Sequence, residues 1–125
     1  MKRFIHAFPI GHMPRIDNAF FGNILVDGKK YETDLHVHWD GEVKERKRTH
    51  VFDKAELNEL LLKDPEVIVV GTGNSGLLQI DPSVHATASL HGIEIIAAKT
   101  PEAVQRFNAL MRMRKRVIAV MHATC

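Results

Sequence analysis

The sequence predicts a single α/β domain in which N-terminal β-hairpins precede a β-α-β-α-β unit built around a mixed sheet. Three observations carry this expectation. An apolar run ending at Val70 empties into the glycine-rich turn Gly71-Thr72-Gly73-Asn74-Ser75-Gly76, and strand and helix patterns alternate from there to Met121. Upstream, Asp27-Gly28 and Asp40-Gly41 separate short alternating segments, as hairpin turns do. At 125 residues, 45% hydrophobic and 26% charged, the chain has the length and composition of one soluble domain with an ordinary core.

Residues 1–18 contain Pro9, Gly11 and Pro14 and show no period, so they read as an irregular N-terminal arm, with the α/β domain spanning 19–125. Phe20 to Val26 reads as a strand that turns at Asp27-Gly28. From Tyr31 to Trp39 the alternation puts Tyr31, Thr33, Leu35, Val37 and Trp39 on one face. Glu32, Asp34, His36, His38 and Asp40 share the other, which reads as exposed. Glu42 to Arg48 reads as a polar edge strand whose charges discourage pairing with other chains.

Asp53, with Glu56 three residues on, starts a helix as a capping box; Leu57, Leu60 and Leu61 form its buried stripe, and Pro65 lies beyond its end. Glu66 to Val70 follows as a buried strand. Asp81-Pro82 opens a second helix that Gly92 ends, and Ile93 to Ala98 is the next strand. Thr100-Pro101 opens a third helix, on which Ala103, Val104, Phe107, Leu110 and Met111 recur at helical spacing. Val117 to Met121 is the last strand. Strands joined through helices in this way run parallel, with right-handed crossovers.

Several functional classes are excluded or disfavoured at this level. A formal net charge of +2 is too small to argue for nucleic acid, and the basic clusters at Lys44–Arg48 and Arg112–Arg116 carry no interleaved aromatics. No apolar run approaches the ~18 residues of a membrane span, and Pro9 and the early histidines interrupt any signal-peptide core. The single cysteine cannot form an internal disulfide and fits a reducing, cytoplasmic setting.

Gly71 to Gly76 matches G-x-G-x-x-G, but no helix opens at the loop. The acidic residue that should hold a ribose is replaced by Lys99. No dinucleotide, and no other cofactor, is therefore expected. A glycine loop can instead cradle a small anion with its backbone N–H groups. If the three strands are parallel, their carboxyl ends gather Gly71, Thr72, Gly73, Asn74 and Ser75 with Lys99, Thr100, His122, Thr124 and Cys125, which makes this edge the expected pocket. No catalytic residue is assigned within it, because a terminal carboxylate on Cys125 itself would disfavour the thiolate. Asp34, His36 and His38 have a spacing that can chelate a divalent ion, but their face carries Glu32 and Asp40 as a solvated face would, so no metal is assigned.

Pro14-Arg15-Ile16, Phe21-Gly22-Asn23-Ile24 with Val26 and Gly28, Val70-Gly71-Thr72-Gly73 and Gly92-Ile93-Glu94-Ile95 occur in order. Thr100 with Ala103-Val104, Phe107-Asn108-Ala109-Leu110, Arg116-Val117 and His122-Ala123-Thr124-Cys125 follow. In this order and spacing the chain resembles the small family of uncharacterised proteins that includes the adipogenesis-associated domain protein and a mitochondrial respiratory complex I assembly factor. The resemblance implies a compact three-layer α/β fold with a central mixed sheet and no established enzymatic activity. It also implies an interaction role with a protein partner. The chain departs from the common bacterial form at Glu42–Arg48, where a basic run replaces a tryptophan-rich segment, so the partner need not carry over. The expectation is therefore a non-enzymatic protein-interaction or assembly-factor-like domain with a small-anion pocket. The alternative is an enzyme of unidentified activity acting where Gly71–Gly76 meets the C-terminal His-x-Thr-Cys.

Overall fold

The computed structural model describes residues 13–124. Three parallel strands, β7 (Val67–Gly71), β9 (Glu94–Ala98) and β10 (Val117–Met121), form one side of the main sheet. Two antiparallel strands, β4 (Leu35–His38) and β5 (Val43–Glu45), extend them into a five-stranded sheet of order β5-β4-β10-β7-β9. A separate antiparallel sheet holds β1 (Ile16–Phe20), β2 (Asn23–Val26) and β3 (Lys29–Tyr31). A short parallel pair joins β6 (Val51–Phe52) to β8 (Gln79–Ile80).

The expected mixed α/β fold is what the chain adopts, and its layers follow from the crossovers. From β7 the chain passes through α2 (Pro82–Leu90) to the edge strand β9, then back through α3 (Thr100–Arg112) past β7 to β10. The two steps run in opposite directions across the sheet, so right-handed crossovers put α2 and α3 on opposite faces. The helix α1 (Lys54–Leu60), continued by a 3-10 turn at Leu61–Lys63, packs beside α2. On the other face α3 covers β7 and β10 and carries β1 on its outer side.

Local signals account for the helices. Asp53 Oδ1 accepts the Glu56 N–H at 2.9 Å, and Asp81 Oδ1 accepts the Ser83 N–H at 2.8 Å ahead of Pro82. Gly92, at φ 69°, adopts the left-handed conformation that ends α2. The predicted stripe of α3 is buried at Ala103, Val104, Phe107 and Met111, with Leu110 partly covered.

The N-terminal half differs from the expectation in three places. β1 begins at Ile16, inside the segment expected to be irregular; residues 1–12 lie outside the described ones. The strand expected over Phe20–Val26 is broken by a turn at Phe21-Gly22, with Gly22 at φ 82°, so its halves pair as β1 and β2. Tyr31 to Trp39 is not one strand: bends at Glu32 and Thr33 move the chain from the small sheet into the large one. The face of Asp34, His36 and His38, expected to be exposed, is buried, at 0, 5 and 3% exposure. β4 lies inside the sheet, and α1 supplies Glu56 as a partner to His36 on that face, which is why both sides of the strand are covered.

Candidate functional site

The carboxyl ends of β7, β9 and β10 meet as the parallel arrangement requires, and hydrogen bonds close the space between them. The Thr72 N–H donates to Ala98 O at 2.9 Å, and the His122 N–H donates to Gly71 O at 2.9 Å. Thr100 Oγ1 is the hub: it accepts the Gly73 N–H at 2.9 Å and donates to His122 O at 3.0 Å. A Cβ at Gly71 would sit 2.6 Å from Met121 Sδ and 3.1 Å from Thr100 Oγ1, so a larger residue there would have to displace both side chains. Gly71, Gly73, Thr100 and His122 are thus brought together and buried, with Thr72 half-buried beside them.

The other predicted pocket residues make none of these hydrogen bonds, though the Lys99 side chain lies beside the loop, 3.8 Å from where a Cβ at Gly76 would be. Asn74, Ser75 and Lys99 are exposed, Thr124 is half-buried, and Cys125 lies outside the described residues. The loop N–H groups of Thr72, Gly73 and Gly76 donate to Ala98 O, Thr100 Oγ1 and Gly73 O, so they are not directed at an anion. After the loop the Leu78 N–H returns to Thr72 O, and the chain enters β8 rather than a helix.

The imidazole of His122 turns away from the glycine loop into a buried polar network. Its Nδ1–H donates to Asp34 Oδ2 at 2.7 Å, while Asp34 Oδ1 accepts the Ala123 N–H at 2.9 Å. Arg46 Nη1 donates to the same Oδ2 at 2.8 Å and to Thr49 O at 3.1 Å. Arg46 Nε donates to Glu56 Oε2 at 2.6 Å, and Nη2 donates to Glu56 Oε1 at 3.0 Å and Val51 O at 3.2 Å. At the far end His36 Nε2–H donates to Glu56 Oε2 at 2.6 Å. The order His122–Asp34–Arg46–Glu56–His36 therefore puts one guanidinium between two carboxylates, each of which orients a histidine.

Arg46 was expected on a solvated edge strand; it is 3% exposed, because β5 ends at Glu45 and the next side chain turns inward. Glu56 shows the double duty of a helix-start residue: its N–H is capped by Asp53, while its carboxylate faces Arg46 and His36. Burial opposes its ionisation, but hydrogen bonds from His36 and Arg46 outweigh that and hold its carboxyl below the ordinary range. His38, on the same face, has no hydrogen-bond partner for either ring nitrogen. Burial and the nearby Lys63 ammonium lower its pKa to about 4, so the ring is neutral near neutral pH. The Lys63 ammonium pairs with Asp40 and, at 2.8 Å, with Glu42.

A cleft of about 370 Å³ opens over the His36 end of the network, between the chain at 45–51 and α1. No sequence signal placed it, since it depends on Arg46 turning inward. Among the described residues no group of His, Cys, Asp and Glu has the geometry of a metal site, and no helix is long and apolar enough to cross a membrane.

Known structures share this architecture. The conserved hypothetical protein PH1505 from Pyrococcus horikoshii OT3 superposes with a TM-score of 0.81 at 29% identity, over 89% of this chain and 99% of its own. The protein MT938 gives a TM-score of 0.76 at 30% identity, over 90% of this chain and 99% of its own. A Mth938-like domain protein from Bordetella pertussis shares the fold at 17% identity, with a TM-score of 0.63 over 97% of this chain and 92% of its own. The match to the DUF498/DUF598 family covers residues 16–122, from the first residue of β1 to the histidine that Asp34 orients. The chain belongs to that family of proteins of unknown function.

Proposed function

We propose that this is a non-enzymatic protein-interaction domain of the assembly-factor kind, which docks a protein partner through the carboxyl edge of its central sheet. The observation that carries this reading is a pair of adjacent aromatic side chains, Phe20 at 56% and Phe21 at 67% exposure. They stand on the β1–β2 turn, which the Gly22 N–H ties to Ala123 O at 2.7 Å beside the closed strand exits. Burying a phenyl ring is worth roughly 1.5–3 kcal/mol, so two rings left in water are available docking energy. Leu77, 55% exposed on the loop that leaves the same edge, adds to the apolar character of this end. The partner is a protein offering an apolar groove for two aromatic anchors.

The resemblance to the family that includes a mitochondrial respiratory complex I assembly factor supports an interaction role, and we place the protein in the cytoplasm on its composition. A small anion is not part of this proposal, because three loop amides are committed internally. The glycine loop serves instead to seal the strand exits beneath the docking surface. One observation favours an enzyme acting through His122: Asp34 orients the ring and leaves Nε2 without a partner. That ring, however, is fully buried, so a substrate would have to open the core to reach it.

The test is photo-crosslinking from position 77, exposed at the same edge, in the native organism, using full-length chain with a free C-terminus. The expected result is one dominant protein adduct, lost in Phe20→Ser/Phe21→Ser although that variant unfolds at an unchanged temperature. An adduct that survives the double substitution, or the absence of any, would overturn the docking surface.

A further inference from the structure

We propose that the cleft between the chain at 45–51 and α1 is a binding site for a primary ammonium group on an aliphatic stem. An arginine at the floor of a cleft ordinarily suggests an anion, but here the donor inventory forbids it. Arg46 has five N–H donors, and all five are engaged: two on Glu56, one on Asp34, and two on the carbonyls of Thr49 and Val51. No donor is left on the guanidinium for a phosphate or carboxylate.

What the floor still offers is acceptors. The His36 side chain is 7% exposed and its Nε2–H is given to Glu56, which leaves the Nδ1 lone pair as its free valence; the ring lines the cleft. The two carboxylates of the network, Glu56 in the floor and Asp34 behind it, outnumber its one guanidinium. The rim has the same sign: Glu45, Asp53 and Glu59 face a single ammonium, Lys47. Ala55 and Val51, the latter 42% exposed, supply apolar wall for methylene groups. A volume of about 370 Å³ is at the small end of ligand pockets, which suits an aliphatic amine or one lysine side chain. The ligand that matches must donate, carry positive charge and have an apolar stem.

This site lies on the opposite side of the Arg46 network from the strand exits, and it does not depend on the docking proposal. The test is an amide NMR titration of the full chain near neutral pH and low salt. Putrescine and N-acetyl-lysine amide are the two probes, representing a free diamine and a lysine side chain, and phosphate is the control. The expected result is saturable shifts at His36, Lys47, Glu56 and Glu59 with at least one amine, and none there with phosphate. In Glu45→Gln/Glu59→Gln, whose changes are confined to exposed side chains, the amine should bind roughly tenfold more weakly. Tighter response to putrescine identifies a free amine as the ligand, and tighter response to the blocked lysine a side chain. Shifts that do not saturate, that phosphate reproduces, or that the double variant leaves unchanged would overturn the site.

Discussion

Arg46 is the residue on which the buried polar face depends. Its side chain is 1% exposed and joins Asp34 to Glu56, so removing it leaves the buried Asp34 carboxylate and the largely covered Glu56 carboxylate without their shared cation. Breaking one partner out of such a network costs about 3–5 kcal/mol. Arg46→Ala should lose that much in urea denaturation, and a loss under about 1 kcal/mol would show that the network is not closed as described. His38 gives the molecule an acid limit. Its folded pKa is about 4 against an ordinary 6.5, so the unfolded chain takes up the proton first as pH falls. Its contribution is therefore full above 6.5 and is lost as pH falls from there toward 4, up to about 3 kcal/mol. The depressed carboxyls of Asp40, Glu42 and Glu56 act in the same direction only below their ordinary values of 3.8 to 4.5. A pH series of denaturation midpoints should slope through the upper window in the native chain, and His38→Leu should flatten it. An unchanged slope in the variant would assign the sensitivity elsewhere. None of this was legible in the sequence, because Arg46 sits in a polar run and nothing local distinguishes it from its exposed neighbours Lys47 and Arg48.

Among the elements, those with a strong period were readable and those with a polar buried face were not. The parallel strands and α3 declare themselves by unbroken apolar runs and a helical stripe, and they occur where expected, as β7, β9, β10 and α3. The alternation from Tyr31 to Trp39 misleads because polarity normally marks the wet face of a strand; here distant residues, Glu56, Arg46 and His122, satisfy Asp34 and His36 inside. The strand exits were readable as a meeting point but not as a closed one, since Thr100 carries the closure with a hydroxyl that sequence cannot orient. Thr100→Val should leave the Gly73 N–H and His122 O without that partner and cost about 1–3 kcal/mol, while Thr100→Ser should recover most of it. Gly71→Ala should cost a similar amount, about 1–3 kcal/mol, by crowding Met121 and Thr100. Thermal unfolding of the three variants decides this; an undisturbed Gly71→Ala would mean that the exits are not packed as described.

At the scale of the whole molecule the network joins pieces that the chain keeps far apart. Asp34 precedes β4, Arg46 follows β5, Glu56 lies in α1 and His122 follows β10, so a single set of hydrogen bonds fastens the N-terminal half to the C-terminal strand exits. One end of that set lies beneath the exposed phenylalanines and the other forms the floor of the cleft. The arrangement requires opposite tautomers at its two ends. His122 must carry its proton on Nδ1, facing Asp34, and His36 on Nε2, facing Glu56. Long-range proton–nitrogen NMR correlation of the histidine rings at about pH 8, above the ordinary imidazole range, reads both at once. The expected result is a Nδ1-protonated ring for His122 and a Nε2-protonated ring for His36. The same tautomer at both positions, or the reverse pair, would contradict it.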